Sequence, residues 1–358
     1  MLSTPPIERD VVVGNPSGQT FHGVTLMNRA FATLSLFCAL GLCAVGLCAP
    51  AGAAVITMSW SPVGNPNNTA DSTGYGAVPY SYNIGTYDVT NCQYVAFLNS
   101  NDPTGANPLA LYNSYMSGGN GGINFNSAAA GGSMYSVIPG DGNNPADYVS
   151  WYDAIRFANW MNNGQPVFMT EPTATNNATE GGAYTLAGFT PTPSNGNSIM
   201  RNNGATIFLP SEDEWYKAAY YNPMTSSYYM YPTSSSTTPT ASGPTSTPNS
   251  ANFAYAVNGV TAVGSYSGTT SPYGAYDMGG DVFQWNESLF FGDVRGERGG
   301  FFQDDPFILA STSQGYDYPY DDGFNGAGFR LASAPEPSSV LLAVIGCAGA
   351  AWLRRRVR

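Results

Sequence analysis

Asp281 and Gln284 lie three residues apart in the stretch Ser271–Glu287, SPYGAYDMGGDVFQWNE. A Pro272–Gly274 turn precedes them, and the pair Gly279–Gly280 permits positive φ or close backbone approach. Oxygen-bearing side chains on irregular backbone are what calcium prefers. The same stretch also reads as a turn feeding a core strand, because Val282, Phe283 and Trp285 supply apolar mass. A second acidic run, Asp317-Tyr318-Pro319-Tyr320-Asp321-Asp322-Gly323, reads as a solvated loop or as another cation loop. Other chemistry is bounded by scarcity. The 358 residues include one histidine, His22, and one lysine, Lys217. Of the five cysteines, Cys38, Cys43 and Cys48 sit in an apolar run near the start and Cys347 near the end, which leaves Cys92 alone between them. Beyond the leader the chain therefore has no Ser-His-Asp triad, no Cys-His pair, no imidazole-held metal and no dithiol centre. Carboxylate, tyrosine and oxygen-ligated metal chemistry remain.

Both ends read as addresses rather than fold. Phe31–Ala49 is uncharged and apolar, follows Arg29 and leads into Ala51-Gly52-Ala53-Ala54, the layout of a secretory signal peptide or an uncleaved anchor. Met27 reads better than Met1 as the start. At the other end Pro335, Glu336 and Pro337 precede an apolar run from Val340 to Leu353, and Arg354, Arg355, Arg356 and Arg358 close the chain. Basic residues beside such a segment stay cytoplasmic. The triplet, apolar run and basic tail resemble the bacterial PEP-CTERM sorting signal. That resemblance implies exosortase-type processing machinery and the membrane as partners, and export to the outer face of the membrane, the cell envelope or an extracellular matrix.

Between these addresses, residues 55–334 hold 21 acidic and 6 basic side chains. Such a surface repels nucleic acid, whose binding rests on Lys and Arg neutralising phosphates. With one thiol the region has no internal disulfide and depends on its core.

Three helix starts stand out. Thr90 with Gln93, Ser150 with Asp153, and Ser211 with Glu214 are capping boxes, each followed by apolar residues at helical spacing. Val89 and Tyr94 are placed as a hydrophobic staple. Short strand signals surround the helices, including Tyr80–Ile84 and Ala205–Leu209. Residues 107–144 are Gly-, Ser- and Asn-rich, and residues 224–250 form a Ser-, Thr- and Pro-rich surface loop, flexible or O-glycosylated. The expectation is one α+β domain over 55–334, with an upstream extension and signal at 1–54 and a sorting segment at 335–358.

Six motifs in order resemble the formylglycine-generating enzyme, or sulfatase-modifying-factor, family, which has an elaborated C-type-lectin-like fold. They are Tyr87–Asn91, Tyr148–Ala154, Leu209–Trp215, Gly279–Trp285, Arg298–Gly300 and Gly328–Arg330. Oxidases of that family hold copper with two cysteines after the Arg-Gly-Gly motif; here Asp304 and Leu309 stand at about those positions. Related sulfoxide synthases hold iron through histidines that this region lacks. The resemblance therefore implies neither copper nor iron here. It does imply calcium at a Gly-Asn-Val-Trp-Glu-Trp segment, matched by Asp281 for the Asn and Gln284 for the Glu, and at Asn252, without the acidic partner expected after it. Gln284 trades a charge for an amide and weakens such a site. Arg298 and Arg330 are expected as structural arginines satisfied by carboxylates or carbonyls. The expected function is a binding or structural module with a carbohydrate or protein ligand on its Tyr-rich loops. The alternative is an enzyme of this superfamily using carboxylate or metal chemistry.

Overall fold

Polar side chains placed at helix starts decide where the three helices begin. The computed structural model describes residues 55–321 and 325–335. The signal segment, Asp322, Glu336, Pro337 and the arginine tail lie outside the described residues. Helix α1 spans Asn91–Asn101, α2 Trp151–Asn162 and α3 Glu212–Tyr220. Each opens with its capping box closed in both directions; at α3, Glu214 N donates to Ser211 Oγ (3.1 Å) while Ser211 N donates to Glu214 Oε2 (2.7 Å). Val89 and Tyr94, the predicted staple, are both fully buried. Helix α2 is apolar on two sides and is covered almost entirely, only Asn162 escaping burial.

Among the described residues, fourteen short strands accompany the helices. In chain order they are β1 Trp60–Val63, β2 Tyr82–Gly85, β3 Ile123–Phe125, β4 Tyr135–Val137, β5 Ile207–Phe208, β6 Tyr221–Asn222 and β7 Ser227–Tyr228. Then come β8 Thr240–Ala241, β9 Ser250–Ala251, β10 Phe283–Phe290, β11 Val294–Arg298, β12 Gly315–Asp317, β13 Ala327–Phe329 and β14 Ala332–Ser333. One antiparallel sheet runs β1-β2-β14-β5, and a second runs β12-β11-β10-β13. In the second, β10 and β11 form an antiparallel hairpin whose register shifts between Trp285 and Leu289, and β13 joins β10 in parallel, Phe283 facing Ala327. Strand β12 lies at the sheet edge, antiparallel to β11 with Glu297 opposite Gly315. Few helices among many short strands make the fold α+β.

The larger core gathers α1, α2 and β13: the Phe157 ring packs edge-on against Phe97, Trp160 and Phe329 at 5.3–5.6 Å between centroids. A second cluster packs Trp215, Tyr216 and Tyr220 of α3 against Val63, Tyr82, Ile84 and Met278. The Ser/Thr-rich span at 224–250, read as a loop, folds back on itself by pairing β8 with β9 and by a Thr233 to Asn249 side-chain bond of 2.6 Å. Its hydroxyls bond nearby backbone and side chains, which lets a span poor in branched aliphatics hold a shape.

Candidate functional site

The loop leading into β10 is a junction of polar side chains inside the protein. Asp281 sits in the left-handed region at φ 61°, which a short polar side chain tolerates. Its carboxylate accepts from Asn252 Nδ2 (2.8 Å), Thr261 N (2.7 Å) and Thr261 Oγ1 (2.9 Å), so both oxygens are engaged. Gly280 is required beside it, because φ is 83° and a Cβ would run into the Asn252 carbonyl. The Asp281 backbone also takes the Phe302 N–H at 3.1 Å and donates to Asn252 O at 3.0 Å, knitting three segments together.

Gln284 belongs to a different network. Its Oε1 accepts from Trp215 Nε1 (2.8 Å) and Arg330 Nε (2.7 Å), and its Nε2 donates to Asp277 O (2.7 Å). An amide oxygen has two acceptor sites, and both are taken. The structure thus brings Asn252 and Asp281 together and leaves Gln284 outside their set. Calcium there would require the Gln284 oxygen to release both donors, so the implied ligands do not fit a cation as they stand. Among the described residues, no three acidic, cysteine or histidine side chains converge where an ion could be held.

Both singled-out arginines are inside. Arg330 pairs with Asp88 at 2.9 Å, each fully buried, and donates to the carbonyls of Gly85 (2.8 Å) and Tyr276 (2.9 Å). Arg298 Nε donates to Glu212 Oε1 at 2.6 Å, and its Nη1 reaches the carbonyls of Ser311 (3.0 Å) and Ser313. This second arginine locks the 299–313 segment, where the family's cysteines fall, onto α3. Within that segment Asp304 Oδ2 caps the Phe301 amide at 3.0 Å. Leu309 is fully buried against Ala251 and Phe253, and its carbonyl accepts from Tyr220 at 3.1 Å. Cys92 is half-buried in the first turn of α1, and its amide donates to Gly142 O at 3.0 Å.

Burial shifts several carboxyls upward. Asp281 rises to about 7, through burial first and Asp277 second, against the pull of Asn252 and Thr261. Asp147 rises to about 7 by burial, although the amides of Tyr148 and Gly326 donate to it at 2.7 Å each. Glu297 on β11 is pushed well up by burial and then by Asp317, Asp321 and Asp304, with no cation among the causes.

An open groove lies elsewhere on the surface among the described residues. A groove of about 500 Å³ runs between the loop at 192–198 and the segment 318–320, with Tyr152 at its base. Tyr318 and Tyr320 stack on each other at 5.4 Å and 16°, both about half exposed. Asn195 and Asn197 stand in the facing wall, and Asp293 is the one charged residue in the lining. None of the carboxyls that burial shifts to about 7 is part of it. The sequence points to this groove only through the alternation Tyr318-Pro319-Tyr320, inside the run singled out for its aspartates.

An α+β fold with this helix and sheet order, and arginines closing an Arg-Gly-Gly segment onto a boxed helix, defines a class of domain. Residues 61–335 match the sulfatase-modifying factor enzyme 1-like domain, and the chain belongs to that family. A curated relative, hercynine oxygenase of Mycobacterium tuberculosis, is 33% identical over 143 residues, 35% of this chain and 32% of that protein. The match thus spans about a third of the relative's length. The crystal structure of CarF superposes with a TM-score of 0.50 at 20% identity, covering 79% of this chain and 100% of CarF. PvdO from Pseudomonas aeruginosa superposes with a TM-score of 0.41 at 17% identity, covering 78% and 93% of the two chains.

Proposed function

We propose that the protein is an exported module, sorted to the cell envelope, that binds or scaffolds rather than catalyses. One observation carries this reading. Asp304 and Leu309, which stand at about the positions where the resemblance places the oxidases' cysteines, are spent on folding: Asp304 caps a turn and Leu309 fills the core. General acid–base work needs an acid within reach of substrate, and neither carboxyl raised to about 7, Asp281 or Asp147, lines the groove. Export rests on the leader and the PEP-type tail, with exosortase-type machinery as the partner at that tail. Calcium has no part in this reading.

The test is to incubate the purified full chain with Cu(II), oxygen and a cysteine-containing peptide. The expected result is no thiol oxidation above the copper-only blank. Turnover that depends on the protein overturns the reading. The likeness to hercynine oxygenase favours a second reading, an enzyme using carboxylate or metal chemistry on a substrate in the groove, and the same assay with iron(II) addresses it.

A further inference from the structure

We infer that the groove between residues 192–198 and 318–320 is a binding site for a neutral oligosaccharide. This names the ligand class for the binding-module reading and rests on it. At about 500 Å³ the groove lies within the ordinary range of small-ligand clefts, roughly 300–1,000 Å³. Its chemistry is two-sided. On one side the stacked rings of Tyr318 and Tyr320 offer a flat apolar face with hydroxyl tips, which suits the C–H face of a pyranose. On the other, the exposed Asn197 amide offers donors and an acceptor, and Asp293 offers an acceptor pair for adjacent hydroxyls, while the Asn195 amide holds the wall itself, accepting from Ala187 N (2.8 Å) and donating to Thr185 O (3.0 Å).

Charge excludes other ligands. No lysine or arginine lines the groove, and residues 55–334 carry 21 acidic against 6 basic side chains, so a polyanion is repelled. Arg295 lies near the facing wall, but its guanidinium is turned to protein: Nη2 donates to the carbonyls of Gly196 (2.8 Å) and Ile199 (3.1 Å), and the group stacks on Trp151 at 3.8 Å. A peptide needs apolar pockets for anchoring side chains, whereas the wall facing the tyrosines is amide and hydroxyl.

Both walls are held before any ligand arrives. Arg295 fixes the 196–199 wall, and the Tyr152 amide at the start of α2 donates to Pro319 O at 3.2 Å, between the two stacked tyrosines. Tyr152 OH packs so close to Gly196 that a side chain there would collide with it. A prearranged groove loses little entropy on binding.

Titration calorimetry of the purified full chain against cellohexaose, xylohexaose, maltohexaose and laminarihexaose tests this, with hexagalacturonate and a proline-rich peptide as contrasting probes. At least one neutral hexasaccharide is expected to bind saturably. Tyr318→Ala and Tyr320→Ala should each weaken it about tenfold with unchanged melting, while Tyr115→Ala, an exposed tyrosine outside the groove, should not. Binding of none of the neutral sugars, binding of the acidic sugar or peptide alone, or full affinity in both groove variants overturns the assignment and leaves the module reading standing. Cleavage of the bound sugar does the reverse: it supports the ligand class and overturns the non-catalytic reading.

Discussion

Arg330 Nε donates to Gln284 Oε1 across 2.7 Å, and neither side chain reaches solvent. Trp215 fills the second acceptor site of the same oxygen, so α3, β10 and the segment after β13 meet at one amide. A calcium chelator should therefore leave the melting temperature of the full chain unchanged. Gln284→Glu removes the donor to Asp277 O and aims an oxygen at that carbonyl; it should cost about 2 kcal/mol in denaturant unfolding. A chelator-dependent fall in the wild-type melting temperature would show that the loop rearranges to hold a cation.

Arg330 also neutralises Asp88, whose carboxyl burial drives upward in spite of that partner. Arg330→Met leaves Asp88 buried without a cation and the Gly85 carbonyl without its donor. The expected loss is about 3–5 kcal/mol. Adding Asp88→Asn should recover part of it, and a double-mutant cycle in urea measures the coupling. Additive losses would mean the pair does not interact.

The pH dependence follows from Asp281 and Asp147. Both are raised to about 7 in the folded protein from an ordinary value of 3.8. Folded protein then binds more protons than unfolded protein between about pH 4 and pH 7. Their contribution is fully present below pH 4 and is lost as the pH rises through 7. Unfolding free energy should accordingly be larger at pH 5.5 than at pH 8, and Asp147→Asn should flatten that slope. A steeper slope in the variant would place the titration elsewhere.

How much of this was readable in the sequence depends on distance along the chain. The helix starts were readable because a capping box is complete within four residues, as at Ser211 and Glu214. Family and fold were readable from motifs that keep their order. The fate of Gln284 was not, because its partners Trp215 and Arg330 lie 69 and 46 residues away and only packing brings them in. The groove was hidden for the same reason: Tyr152, Asn195 and Tyr320 line one groove through tertiary contacts that no local pattern encodes.

Lys217, the one lysine, gives a test of opposite sign. It is fully buried on α3, its ammonium donates to Asn65 O at 2.8 Å, and burial lowers it to about 8. No carboxylate is among the causes of that shift. Below pH 8 the folded protein carries a buried charge held by one carbonyl, a costly arrangement. Because the folded value lies below the ordinary 10.5, stability from this group should rise between about pH 8 and pH 10.5. Lys217→Met keeps the stem's volume and removes the charge. The lost hydrogen bond, about 1 kcal/mol, is then offset by the desolvation no longer required, and stability at pH 7 should stay within about 1 kcal/mol of wild type or exceed it. A loss of about 3 kcal/mol or more in urea unfolding would mean that an anion balances Lys217 and that the ammonium is a true anchor for the Asn65 turn.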